Sequence, residues 1–265
     1  MKNEKNSGLT VFTWLTFIFL LGPLVIIFLT SFGADSYLSF PPKSLSLRWY
    51  RHIFATEAFI TTFKTSVFVS CIGNLIALII GLPTAYILSR YQFIGKKAVN
   101  MIFLSPLLIP GIVLGFTLLK YVVVAYHFPI YTSLLIGHSV IMLPFIIRVV
   151  SASLANFDFT IEEAALSLGA GKIAALFKVV LPNIRSGLIA AILLAFLESF
   201  NNVDVSIFLV GPGVSTLPIQ MLQYVENYFD PTIAAISVLL MVLTAILMFF
   251  IDRLTGLSYF TKRGD

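Results

Sequence analysis

Six long apolar runs, at 9–33, 62–89, 98–126, 131–153, 184–210 and 231–254, constrain this chain more than any other feature. Each reaches or exceeds the ~20 residues an α-helix needs to cross a hydrocarbon core about 30 Å thick. Lipid offers no water to unpaired N–H and C=O groups, so only helices and closed barrels span it. The runs are continuous and lack the period-2 alternation of barrel strands, which selects helices. Composition agrees: 58% of residues are hydrophobic and 11% charged, against roughly 25% charged in an ordinary soluble domain. The first run is too long for a secretory leader and SFGAD follows it without a small-residue cleavage site, so it reads as a retained helix. The expectation is an all-α membrane protein with six transmembrane helices in a single transmembrane domain, 1–265.

Several chemistries fall away. Cys71 is the only cysteine, which excludes an intramolecular disulfide and a cysteine metal cluster. His52, His127 and His138 are scattered without ligand spacing, so no metal site is expected. No phosphate-loop pattern occurs, so the chain hydrolyses no ATP by that route, and no catalytic residue is assigned. A net charge of +5 would suggest nucleic acid in a soluble protein; here its distribution matters more, and no nucleic acid is expected. With six spans both termini share a side. Placing them in the cytoplasm puts Lys2, Lys5, Arg90, Lys96, Lys97, Arg148, Lys172, Lys178, Arg185, Arg253, Lys262 and Arg263 there. Lys43, Arg48, Arg51 and Lys64 fall outside, and Lys120 lies within a span. Positive residues gather on the cytoplasmic side, so this orientation is the expected one.

The connections have character of their own. Pro41-Pro42 breaks any helix in the first external connection, 34–61, and SLRWYRHIF then suits a short interfacial helix with Trp49 and Tyr50 at headgroup level. Pro106, Pro110 and Gly111 interrupt the third span, either as a gating kink or as fixed shaping. Pro144 and Pro83 invite the same two readings. The loop 211–230 opens on a Gly-Pro-Gly turn and continues after Pro218 as a short amphipathic helix.

The polar, glycine-broken segment 162–187 lies between the fourth and fifth spans, on the positive-rich side. Thr160 can cap a helix starting near Ile161 and form a capping box with Glu163. Glu162 and Glu163 fall in the first turn, where the helix dipole favours carboxylates. Ala164 and Ala165 leave room for a partner surface. Gly169 permits a turn that Cβ-bearing residues resist, and Gly171 extends that freedom. Pro182 is placed to start the next helix. Glu163-Ala164-Ala165, Gly169 and Leu181-Pro182 match in order and spacing the EAA loop, with one departure, Val179 in place of Ile. The chain thereby resembles permease subunits of binding-protein-dependent ABC importers, a resemblance that covers essentially its whole length. It implies the type I ABC importer (MetI-like) permease fold in the bacterial cytoplasmic (inner) membrane. The segment 160–182 would be the coupling helix that docks in a cleft of an ATPase subunit. The implied partners are two ABC ATPase subunits, which bind ATP and Mg, a second homologous permease or a copy of this chain, and an extracytoplasmic solute-binding protein.

Within the fifth run, FLESFNNVDVSIF carries Glu198, Asn201, Asn202 and Asp204. An Asp at a helix centre costs about 2.5–3.5 kcal/mol on insertion scales, so such groups face a bundle interior or water path. On a helical period Glu198, Asn201 and Asn202 share a face, with Asp204 close enough to line the same cavity. Two carboxylates without a cation in the span favour a cationic solute such as a polyamine. The other reading is an interhelical clamp, for instance of Glu198 with Lys120 or Arg148. The PP…SLRWY segment and the fifth run also resemble the spermidine/putrescine permeases, although Asn201-Asn202 replace their usual acidic pair. Permeases for phosphonate, thiamine or ferric iron share this framework. An ion-coupled secondary transporter would also carry buried carboxylates and broken helices, but no inverted repeat of the spans is evident.

Overall fold

The computed structural model describes residues 7–255. Lys2, Lys5, Lys262 and Arg263, used above for orientation, lie outside the described residues. Apart from two isolated β-bridges, the secondary structure among the described residues is helical. Of the described residues, 7–60 with Met221–Thr244 form one compact unit, and Thr61–Gln220 with 245–255 form the other.

Among the described residues four helices are long and apolar enough to cross a membrane, and the number is six when each of two bent helix pairs is taken as one span. The single helices are α1 (Ser7–Thr30), α3 (Glu57–Arg90), α6 (Ile130–Ala155) and α12 (Thr232–Thr255). The third span is the pair α4 (Lys96–Leu107) and α5 (Gly111–Ala125), bent by 97°. Pro110 supplies the break, since it lacks an N–H; its carbonyl accepts from Val113 and Leu114 at 2.9 and 3.1 Å to start α5. The fifth is α8 (Lys172–Asn183) with α9 (Arg185–Phe200), bent by 80°. The short helices are α2 (Arg48–Ala55), α7 (Thr160–Ser167), α10 (Ser206–Leu209) and α11 (Leu217–Asn227).

In the first unit, the interfacial helix after Pro41-Pro42 forms as α2. Trp49, however, is only 5% exposed. Its indole N–H donates to the Gly33 carbonyl at 2.9 Å and Arg48 covers its ring. It therefore fastens the 34–61 connection on itself. Tyr50 pairs with the Ser31 hydroxyl at 2.7 Å. The Asp230 carboxylate accepts from the Thr232 N–H and the Tyr224 hydroxyl, which caps the start of α12.

In the second unit α6 is the central element, burying Leu134, Met142, Ile146, Ile147, Val150 and Leu154. Its neighbours approach through small residues, as membrane helices do when no solvent drives them together. Gly73 and Gly81 of α3 sit against Met142 and Ile146, and α9 offers Ala191 and Ala195, both fully buried. Ser139 donates to the Gly73 carbonyl at 3.2 Å, and the Asn74 amide donates to the Ile192 carbonyl at 2.7 Å.

Candidate functional site

The 34 residues of α3 make a helix roughly 50 Å long, well beyond the hydrocarbon thickness of about 30 Å. The surplus carries Tyr86 and Arg90 to α7. There the Arg90 guanidinium donates to Glu162 Oε2 at 3.1 Å and to Glu163 Oε1 at 2.7 Å. Glu162 is 1% exposed and also accepts from the Tyr86 hydroxyl. Phe159 lies under the guanidinium at 5.0 Å, closing the cluster with cation–π contact. One guanidinium thus binds both glutamates of the segment to the end of the second span.

The ends of α7 are built differently from expectation at one terminus and as expected at the other. Thr160 does not cap the helix, and Glu163 is engaged by Arg90 instead of closing a capping box. Asp158 Oδ1 accepts from the Thr160 N–H at 3.0 Å, and the Thr160 backbone and hydroxyl hold that exposed carboxyl below the usual carboxylate range. The C-terminus is a Schellman turn. The Gly169 N–H donates to Leu166 and the Ala170 N–H to Ala165, at 3.0 and 3.1 Å, with Gly169 at φ +91°. Gly171 lies in extended backbone (φ −69°, ψ 152°), so its conformational freedom goes unused. Pro182 stands at the start of a short helical turn, Leu181–Asn183, as expected, but that turn is not yet α9. It is the last turn of α8, beyond a stretch of π winding, Leu176–Val180, and the bend at Ile184 precedes α9.

Of the residues that the EAA-like motif singles out, Glu162 is buried and Ala165 half-buried, while Glu163, Ala164 and Gly169 are exposed. Leu181 is half-buried and Pro182 exposed; the π-wound part of their helix packs against α7. Leu168, Ile173 and Phe177 extend the exposed surface as apolar side chains, with Leu168 90% exposed. Arg90 and Tyr86 were missed by sequence reasoning, which counted Arg90 as a loop charge; the signal was a helix of 34 residues ending in a cation.

The fifth run is not one helix over 184–210. α9 ends at Phe200, residues 201–205 are non-helical, and α10 resumes at Ser206. The shared helical face of Glu198, Asn201 and Asn202 therefore does not form. The break satisfies itself through side chains. The Asn201 amide donates to the Leu197 carbonyl at 3.0 Å, and Asn202 Oδ1 accepts from the Val205 N–H at 2.9 Å. Asp204 is exposed and Glu198 half-buried, within electrostatic reach of one another. The break lies against the start of α5: a Cβ on Gly111 would stand 2.5 Å from Asp204 Oδ2, and one on Gly115 2.7 Å from the Asp204 carbonyl oxygen. Among the described residues the ion pairs within 4.0 Å are those of Arg90; none joins Glu198 or Asp204 to Lys120 or Arg148. No group of three metal-ligating side chains occurs among the described residues.

Residues 73–258 match the model of the family described as "Binding-protein-dependent transport system inner membrane component". The spermidine/putrescine transport system permease protein PotC of Haemophilus influenzae is 30% identical over 245 residues, covering 92% of this chain and 95% of the relative. The molybdate/tungstate transport system permease protein WtpB of Methanocaldococcus jannaschii is 28% identical over 241 residues, covering 88% and 94%. The crystal structure of a bacterial ABC transporter involved in import of the acidic polysaccharide alginate matches with a TM-score of 0.72 at 18% identity, over 96% of this chain and 98% of that one, which shows the fold. The chain belongs to the binding-protein-dependent transport system inner membrane components, as a multi-pass permease subunit of an ABC importer.

Proposed function

We propose that this permease passes a small cationic solute of the polyamine class, such as putrescine or spermidine, delivered by an extracytoplasmic binding protein. The observation that carries the solute class is the broken fifth span, which presents Asp204 with Glu198 nearby and, among the described residues, no paired cation. A carboxylate left without an ion pair at membrane depth favours a compensating cation and disfavours an anion. The relation to the spermidine/putrescine permease supports this reading, whereas the molybdate/tungstate relative carries oxyanions. Two separate ATPase subunits supply ATP hydrolysis and receive α7 with the exposed Leu168, Ile173 and Phe177. A second permease, homologous or identical, completes the pathway, and both termini face the cytoplasm. ATP-driven closure of the ATPases moves α7, and alternating access follows. Uptake of labelled putrescine and of molybdate by the reconstituted importer with its cognate binding protein tests the solute class. Putrescine uptake that is lost in Asp204→Asn supports it; preferred uptake of molybdate, or unaltered putrescine uptake after neutralising both Glu198 and Asp204, refutes it.

A further inference from the structure

His138 on α6 is 1% exposed, and its two ring nitrogens reach opposite sides of the fifth-span break. Nδ1 lies 2.7 Å from Ser199 Oγ, in the last turn of α9, and Nε2 lies 3.1 Å from Ser206 Oγ, the first residue of α10. Ser199 Oγ also lies 3.0 Å from Ser70 Oγ on α3, and the Ser206 hydroxyl donates to the Asn202 carbonyl at 2.7 Å. Each hydroxyl has one proton, so the direction of the chain follows from its far end. Ser206 spends its proton on Asn202 and must accept from His138 Nε2–H. Nδ1 then accepts from the Ser199 hydroxyl, which in turn accepts from Ser70. A neutral imidazole with its proton on Nε2 leaves no member of the chain unpaired.

We propose that His138 is a positioning residue that pins the two halves of the fifth span across the Asn201–Val205 break and so fixes where Asn201 and Asp204 stand. A non-helical stretch at membrane depth persists only where its polar groups are satisfied by protein or a water path. The carbonyl of Asn202 would otherwise be left without its helical partner, and Ser206 supplies that partner only while oriented by the imidazole. Two facing spans, α3 and α6, thereby hold one strand of backbone that neither touches through a helix ladder. The proposal rests on the reading of this break as part of the solute path, and its test separates the two.

The test uses the reconstituted importer with Cys71→Ser as background and Asn201→Cys as reporter, modified by a cationic methanethiosulfonate reagent. His138→Phe keeps the volume and removes both hydrogen bonds; Ser206→Ala removes one hydroxyl with little change in volume. Each should raise the modification rate at position 201 by about tenfold, the scale of one or two lost hydrogen bonds. His138→Gln, which retains a donor and an acceptor, should recover most of that rise. A cysteine at Lys172 should react unchanged in all of them, whereas a general loss of stability would raise both. Unaltered reactivity at 201 in Ser206→Ala, or equal changes at 172, overturns the proposal. If the rate rises as stated but the adduct at 201 leaves putrescine uptake intact, the pin stands and the solute-path reading fails.

Discussion

Removing Arg90 should loosen α7 from the second span more than any other single change near it. Glu162 is 1% exposed, and without the guanidinium its carboxylate would keep only the Tyr86 hydroxyl. Stripping one partner from a buried ion pair costs about 3–5 kcal/mol, because the other charge stays buried. The second arm is weaker: Glu163 has 58% of its side-chain surface exposed, and such pairs contribute about 0–1 kcal/mol. Arg90 itself is 23% exposed, so water offsets part of the loss and the low end of the range, about 3 kcal/mol, applies. If α7 then opens locally, amide exchange over Glu163–Leu168 should accelerate by roughly 100-fold in Arg90→Ala. Glu163→Gln should change it less than about fivefold. Arg90→Ala combined with Glu162→Gln should recover much of the loss, since no uncompensated charge remains buried. Hydrogen exchange on the reconstituted importer measures all three. Equal effects of Arg90→Ala and Glu163→Gln, or unchanged exchange in Arg90→Ala, would refute the assignment of Glu162 as the buried half of the clamp.

Other outcomes follow from local geometry. Gly169→Ala should cost about 1–2 kcal/mol from its positive φ alone, because a Cβ there meets nothing within 4 Å; it should lower coupled uptake while membrane insertion stays normal. Asp158→Ala should fray the first turn of α7 by about 1 kcal/mol, and Asp158→Asn, which keeps the acceptor, should not; exchange at Ile161 and Glu162 reads the difference. Gly115→Ala would place a Cβ 2.7 Å from the Asp204 carbonyl oxygen and 3.1 Å from Val205 Cα. Both are backbone atoms, so the break must shift, and uptake should fall even though the substitution is conservative in a spanning helix.

Run length is a local property, and the four single helices lie within a few residues of the corresponding apolar runs. Pro106 and Pro110 signal the bend at Leu108–Pro110, whereas Pro182 signals only the start of the short turn Leu181–Asn183 and not the bend at Ile184 that follows it. The break at 201–205 escaped notice because Val203, Val205, Ile207 and Phe208 keep the run apolar through it. What stabilises that break is not local: His138 lies 61 residues before Ser199 and 68 before Ser206. Arg90 lies 72 residues from Glu162, and nothing in the spacing of the EAA motif points to it. The cap of α7 failed for a smaller reason. Both Asp158 and Thr160 are good caps, and it is Asp158 that accepts from the Thr160 N–H, while Phe159 between them packs on Phe157 and under Arg90.

Site-specific cross-linking from α7 tests the coupling assignment most directly. In the assembled importer carrying Cys71→Ser, a cysteine at the exposed position Ala164 should cross-link to an ATPase subunit, with a yield that changes on ATP binding. A bulky adduct at that position should abolish ATP-dependent uptake while the subunits stay associated. Full uptake with the adduct in place, together with no cross-link in either nucleotide state, would contradict the role given to this helix.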